Sequence, residues 1–174
     1  MNIRSAFSVF AAAILAAALT AGCNGSFWQR NKPVVEETIP EPIDTLLPKQ
    51  IRIHPFTGMS VFSEKGDIRG IDVRIEAIDA YGDANKAFGQ FRFELYQFKP
   101  NSPDPRGVRL AVWNESIEDF KSNRRHWNSI ARIYQFKLAW NRPTSVGQKF
   151  VLAVVFQSRF TERLFTERVF ESDR

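Results

Sequence analysis

Ile133-Tyr-Gln-Phe-Lys-Leu-Ala-Trp140 is the stretch that decides the fold class. Successive side chains of an extended chain point to opposite faces, so Tyr134, Phe136, Leu138 and Trp140 share one apolar side while Ile133, Gln135, Lys137 and Ala139 take the other. The same period of two recurs upstream. Ile71, Val73, Ile75 and Ala77 alternate with Asp72, Arg74, Glu76 and Ile78, and Phe91, Phe93 and Leu95 alternate with Gln90, Arg92 and Glu94. Residues 108–113, 130–140 and 164–170 read as further strands. Residues 150–156 are nearly all apolar, which predicts a central strand covered on both faces.

Turn chemistry separates these runs: Lys65-Gly66-Asp67, Tyr81-Gly82-Asp83, the segment from Pro100 to Gly107, and Asn141-Arg142-Pro143 through Gly147. Seven to eight strands with polar turns between them predict an all-β domain over residues 50–174, an antiparallel β-sandwich of prealbumin-like or immunoglobulin-like type. One interruption stands out. Over residues 114–129 the spacing of Ile117, Phe120 and Lys121 after a Ser116 cap allows at most one short helix, near 116–128, and a long polar loop fits the same residues. The chain has 174 residues with 44% hydrophobic and 13% aromatic content, enough for one domain to bury a substantial core.

The N-terminal region departs from this composition. Arg4 precedes an uncharged apolar run over residues 6–19, and the small residues Ala21 and Gly22 lead into Cys23, the three parts of a secretory signal. A bilayer-spanning helix needs about 20 apolar residues, so the run is short for a permanent span. Leu19-Thr20-Ala21-Gly22-Cys23 resembles a bacterial lipobox, with Thr20 standing where leucine is usual. The resemblance implies diacylglycerol on the Cys23 thiol and cleavage after Gly22, making residues 1–22 a cleaved signal peptide. It also implies acylation of the new N-terminus and anchoring in the envelope. Asn24, where inner-membrane retention would favour Asp, points to the outer membrane facing the periplasm.

Cys23 is the only cysteine, so no disulfide or thiolate metal cluster is available, and with only two histidines a zinc site is not expected. Residues 23–49 carry Pro33, Pro40, Pro42 and Pro48 among Glu36, Glu37, Glu41 and Asp44. Proline opposes helix and favours extended backbone, which predicts a lipidated N-terminus followed by a tether with a reach of up to roughly 80 Å.

Within the domain, the stretch from Asp79 through Gly82, Asp83 and Gly89 to Phe93 resembles the turn and second strand of prealbumin-like sandwiches. Its continuation Phe93-Glu94-Leu95-Tyr96-Gln97-Phe98 is similar to the outer-membrane lipoprotein of type VI secretion systems, with Tyr96-Gln97 in place of that family's strand-ending pair. A partner-docking role in a membrane complex is what this similarity implies.

No P-loop, dinucleotide fingerprint, His-Glu-x-x-His pair or nucleophile elbow occurs, so no catalytic residue and no cofactor is expected. His54 and His126 read as structural or solvated. Asp79, Asp83 and Asn85 share one loop and form the only calcium alternative, opposed by Lys86 and by the few carboxylates for a cation that takes about six to eight oxygens. Loss of the signal removes only Arg4, leaving 23 cationic against 19 anionic side chains. Arg124, Arg125 and Trp127 form the densest basic-aromatic cluster, a candidate interaction patch; an exported address argues against nucleic acid and for an anionic envelope polymer or lipid headgroup. The resulting expectation is a membrane-anchored lipoprotein whose non-catalytic sandwich binds an envelope protein partner. A module for an envelope polymer or small ligand is the alternative.

Overall fold

Two antiparallel sheets face each other across a core rich in phenylalanine. The structure is a computed structural model that describes residues 41–66 and 68–173. The signal, Cys23, the tether up to residue 40 and Asp67 of the first turn lie outside the described residues.

The first sheet is built on the long strand β3 (Arg69–Ile78). On one side β3 pairs with two short strands in succession, β1 (Gln50–Ile53) and β2 (Gly58–Val61); on the other it pairs with β7 (Ile133–Ala139), followed by the two-residue β6 (Trp127–Asn128). The second sheet runs β5 (Arg106–Ser116), β4 (Gln90–Phe98), β8 (Lys149–Gln157) and β9 (Leu164–Glu171). With β2 grouped with β1 as strand A, the remaining strands lettered in chain order give A, B, E and D in one sheet and C′, C, F and G in the other, an immunoglobulin-like order.

The period-two residues decide which face is buried. Ile71, Val73, Ile75 and Ala77 of β3, Tyr134, Phe136 and Leu138 of β7, and Phe91, Phe93 and Leu95 of β4 all lie in one continuous core. Aromatic contacts join the sheets: the ring of Phe136 lies 5.2 Å from Phe91 and 4.9 Å from Phe93, and Trp140 meets Phe150 edge-on at 5.5 Å. Offset and edge contacts of this kind add about 0.5–1.5 kcal/mol each beyond area burial. The apolar strand β8 is covered on both faces as expected. Val151 and Ala153, which point away from the core, are 0% and 4% exposed, flanked in register by Tyr96 and Val169 and by Glu94 and Glu167.

Four details differ from the sequence reading. Nine strands form among the described residues, the extra ones being short pieces such as β6. A helical turn, α1 (Glu41–Asp44), opens the described chain where an extended tether was expected, and Pro48 behind it is buried. This segment is fastened to the sandwich: the Lys49 N–H donates to Ile78 O at 2.8 Å and the Ala80 N–H to Thr45 O at 3.2 Å. Residues 130–132 are a turn rather than the start of a strand, because Asn128 Oδ1 accepts the N–H groups of Ile130 and Ala131 and Arg132 takes a φ of 55°. Finally, Ser116 ends β5 instead of capping a helix. The Ile117 N–H bonds to Gly89 O at 2.9 Å and its side chain is fully buried, which delays the helix to α2 (Phe120–His126).

Candidate functional site

The N-terminus of α2 is set by Asp119. Its backbone is extended, and its carboxylate accepts the Ser122 N–H at 2.9 Å and the Ser122 hydroxyl at 2.6 Å, satisfying groups the first turn leaves open. These bonds hold the Asp119 carboxyl below its usual range, the side-chain bond from Ser122 being the larger cause. Arg124, Arg125 and His126 fill the last turn, where positive charge opposes the helix dipole. Trp127 then becomes extended and pairs with Tyr134.

Asn123 fastens the helix to the sandwich. Its Nδ2 donates to Ala87 O at 2.6 Å and Ile117 O at 3.0 Å, while its Oδ1 lies 3.1 Å from the Tyr134 hydroxyl. That hydroxyl also accepts the Ala87 N–H at 2.8 Å. Burial, foremost, pushes the Tyr134 phenol up in pKa. The node joins α2, β7 and the connection between β3 and β4, and so fixes Lys86 and Phe88 opposite the helix.

Between them opens a cleft of about 610 Å³ lined by Lys86, Phe88, Phe120, Asn123, Arg124 and Trp127, among others. Lys86 Nζ lies 6.0 Å over the Trp127 ring. From the β8–β9 turn, the Arg159 guanidinium lies 4.6 Å from the ring centre of Phe160 and 5.7 Å from that of Phe88, both within cation–π range. Phe120 is 80% exposed and Ile130, at the tip of the β6–β7 turn, 96%. The cleft therefore offers aromatic faces and cationic tips, and its one lining carboxylate, Asp119, is engaged by Ser122. Its chemistry can accommodate an anionic or amphipathic group, and among the described residues no histidine lines it.

The patch read from the sequence divides here. Arg124 and Trp127 line this cleft, whereas Arg125 faces a neighbouring hollow of about 740 Å³ with Glu115, His126, Ile130 and Lys137. Lys86, Phe88 and Phe120 join the site, and Arg159 borders it through Phe88, although nothing in their local sequence announced them. They come from three separate connections.

No family model matches the chain, and neither a curated protein nor a solved structure does. The remaining candidates are placed by their own contacts. Asp79, buried, uses Oδ1 to accept the N–H groups of Tyr81 and Asp83 at 2.9 and 3.0 Å, and Asn85 turns its Nδ2 toward Oδ2 at 3.5 Å. These bonds build the turn around Gly82, whose φ of 88° suits glycine. Among the described residues no group of three or more metal-ligating side chains converges. His126 stacks on Phe136 at 4.6 Å with Nδ1 3.0 Å from Gln135 O, and His54 Nδ1 accepts the Phe56 N–H at 3.3 Å. Tyr96 lies on the outer face of β4 and donates its hydroxyl to Glu94, which also receives Arg92 Nε at 2.6 Å. The Tyr96 bond is the largest cause lowering the Glu94 pKa and raising that of Tyr96.

Proposed function

We propose that the chain is an exported bacterial lipoprotein, held through diacylglycerol on Cys23, whose non-catalytic sandwich binds an anionic component of the envelope at the α2 end. The observation that carries the binding reading is the cleft itself. Lys86 of the β3–β4 connection meets Phe120, Arg124 and Trp127 of the α2 segment around one concavity, where Asp119, the only carboxylate lining it among the described residues, is taken up as a helix cap. The anchor reading is supported by the lipobox-like sequence, and the outer membrane facing the periplasm is its expected location.

Two experiments test these statements separately. Palmitate labelling of the full chain in a bacterial host is expected to disappear in Cys23→Ser; persistent label would overturn the anchor. Sedimentation of the soluble domain with isolated envelope is expected to fall in Arg124→Ala/Arg125→Ala and to weaken with salt. Binding equal to the parent with unchanged salt dependence would sink the cleft reading.

A second reading, docking of an envelope protein, draws on β5. Among the described residues this eleven-residue strand pairs only with β4, so its outer edge can accept an extended segment of a partner. A proline replacing the exposed Val108 is expected to abolish that capture and leave the cleft variant's phenotype untouched.

A further inference from the structure

The end of the sandwich that carries the cleft is also the end at which the chain joins it. Gln50 of β1 pairs with Ile78, the last residue of β3, and the Asn85 Nδ2 reaches Leu46 O at 3.4 Å. The β3–β4 connection, α2, the β6–β7 turn and the β8–β9 turn all lie at this end, because β4 begins at Gln90 opposite Ser116 and Gln157, the last residues of β5 and β8. The β2–β3 turn, the β4–β5 loop and the β7–β8 loop lie at the other.

The two ends differ in charge. Residues 41–49, 79–89, 117–132 and 158–163 hold eight cations, Lys49, Lys86, Lys121, Arg124, Arg125, Arg132, Arg159 and Arg163, against seven carboxylates. Three of those seven are engaged, Asp79 on backbone amides, Asp119 on Ser122 and Asp44 by Lys49. Arg124, Arg125 and Lys86 form no ion pair among the described residues. Residues 62–68, 99–105 and 140–148 at the opposite end balance, with three cations against three carboxylates. Phe120 and Ile130 project beside the cations of the charged end. Exposed apolar tips set among basic residues are what an interfacial protein sinks into the boundary between headgroups and acyl chains.

We infer that this end rests on an anionic phospholipid surface, with Lys86, Arg124 and Arg125 on the headgroups and Phe120 and Ile130 reaching below them. The inference rests on the proposed binding role and deepens it by naming the anion.

The test uses a chain beginning at Asn24, which has no cysteine and no lipid. It keeps the fold, since every core residue lies between Ile51 and Phe170. Vesicles of phosphatidylcholine alone are compared with equimolar phosphatidylcholine and phosphatidylglycerol. Sedimentation with the anionic vesicles is expected, and loss of it at about 1 M salt, where screening acts within about 3 Å. Lys86→Glu/Arg124→Glu/Arg125→Glu is expected to lower partitioning by more than about ten-fold, while Arg142→Glu/Lys149→Glu at the opposite end leaves it within about two-fold. Circular dichroism and melting confirm that each variant is folded. A solvent-sensitive dye on Ile130→Cys is expected to shift to shorter wavelength on anionic vesicles, and the same dye on Val146→Cys is not. Equal binding to neutral vesicles, equal losses from both ends, or a shift at Val146→Cys alone would overturn the inference. If the parent ignores these vesicles yet still binds isolated envelope through Arg124 and Arg125, the proposed binding role stands and only the lipid assignment falls.

Discussion

Tyr134 shows how one polar atom in an aromatic core organises a surface. Its ring packs in the alternating series that the sequence displays, while its hydroxyl reaches the Ala87 backbone and Asn123 to lock α2 in place. Tyr134→Phe keeps the packing but leaves buried donors and acceptors unmet, and is expected to cost about 1–3 kcal/mol in urea unfolding. Its pH dependence has a definite sign. Burial raises the phenol above its ordinary value of 10.0, so stability is full below pH 10 and is lost as pH rises through the folded-state value. Unfolding midpoints measured upward from pH 10 are expected to fall less steeply in Tyr134→Phe. Gly89 is a second constrained position. A Cβ there would lie 2.4 Å from Gln157 O and 2.8 Å from the Phe156 ring, so Gly89→Ala is expected to destabilise by about 1–3 kcal/mol in the same assay. The ring of Tyr134 was legible from its spacing. The role of its hydroxyl was not, because its partners lie 47 and 11 residues away.

Among the elements, α2 and β4 show how local signals are overridden. Ser116 looks like a cap because it precedes Ile117 and Phe120 at helical spacing, but Ile117 gains more by entering the core beside Gly89, and the cap passes to Asp119. Asp119→Ala is expected to accelerate hydrogen exchange at the Ser122 and Asn123 amides, with core amides in β4 and β8 unaffected. On the outer face of β4, the Tyr96 hydroxyl and then the Arg92 guanidinium hold the Glu94 carboxyl below 4.5. A depressed carboxylate contributes stability above its unfolded value, and that contribution is lost as pH falls through the folded one. Unfolding midpoints below pH 4.5 are expected to decline less steeply in Glu94→Gln than in the parent. The sequence marked this face as polar by alternation; the network itself joins residues two apart on β4, and pairing with β5 adds Arg109, 3.7 Å from Glu94.

For the whole molecule, the same residue type has opposite meanings at two positions. Phe91 is fully buried among Phe93, Tyr134, Phe136 and Phe156, and Phe91→Ala is expected to cost about 3–5 kcal/mol in thermal or denaturant unfolding. Phe120→Ala is expected to leave stability within about 0.5 kcal/mol while weakening attachment to anionic vesicles, because that ring is in solvent. By itself the sequence determined the all-β class, the positions of the long strands and the inward face of each, since period-two alternation is a local property that one strand displays alone. It also marked Cys23 as the candidate anchor, through contiguous residues. Only the tertiary structure decided the strand order, the short pairings of β1, β2 and β6, and the meeting of Lys86, Phe88, Phe120, Arg124 and Trp127 in one cleft. Those outcomes depend on which distant segments share an edge or an end of the sandwich, and pairing and packing free energies summed over the whole chain decide that, not neighbours along it.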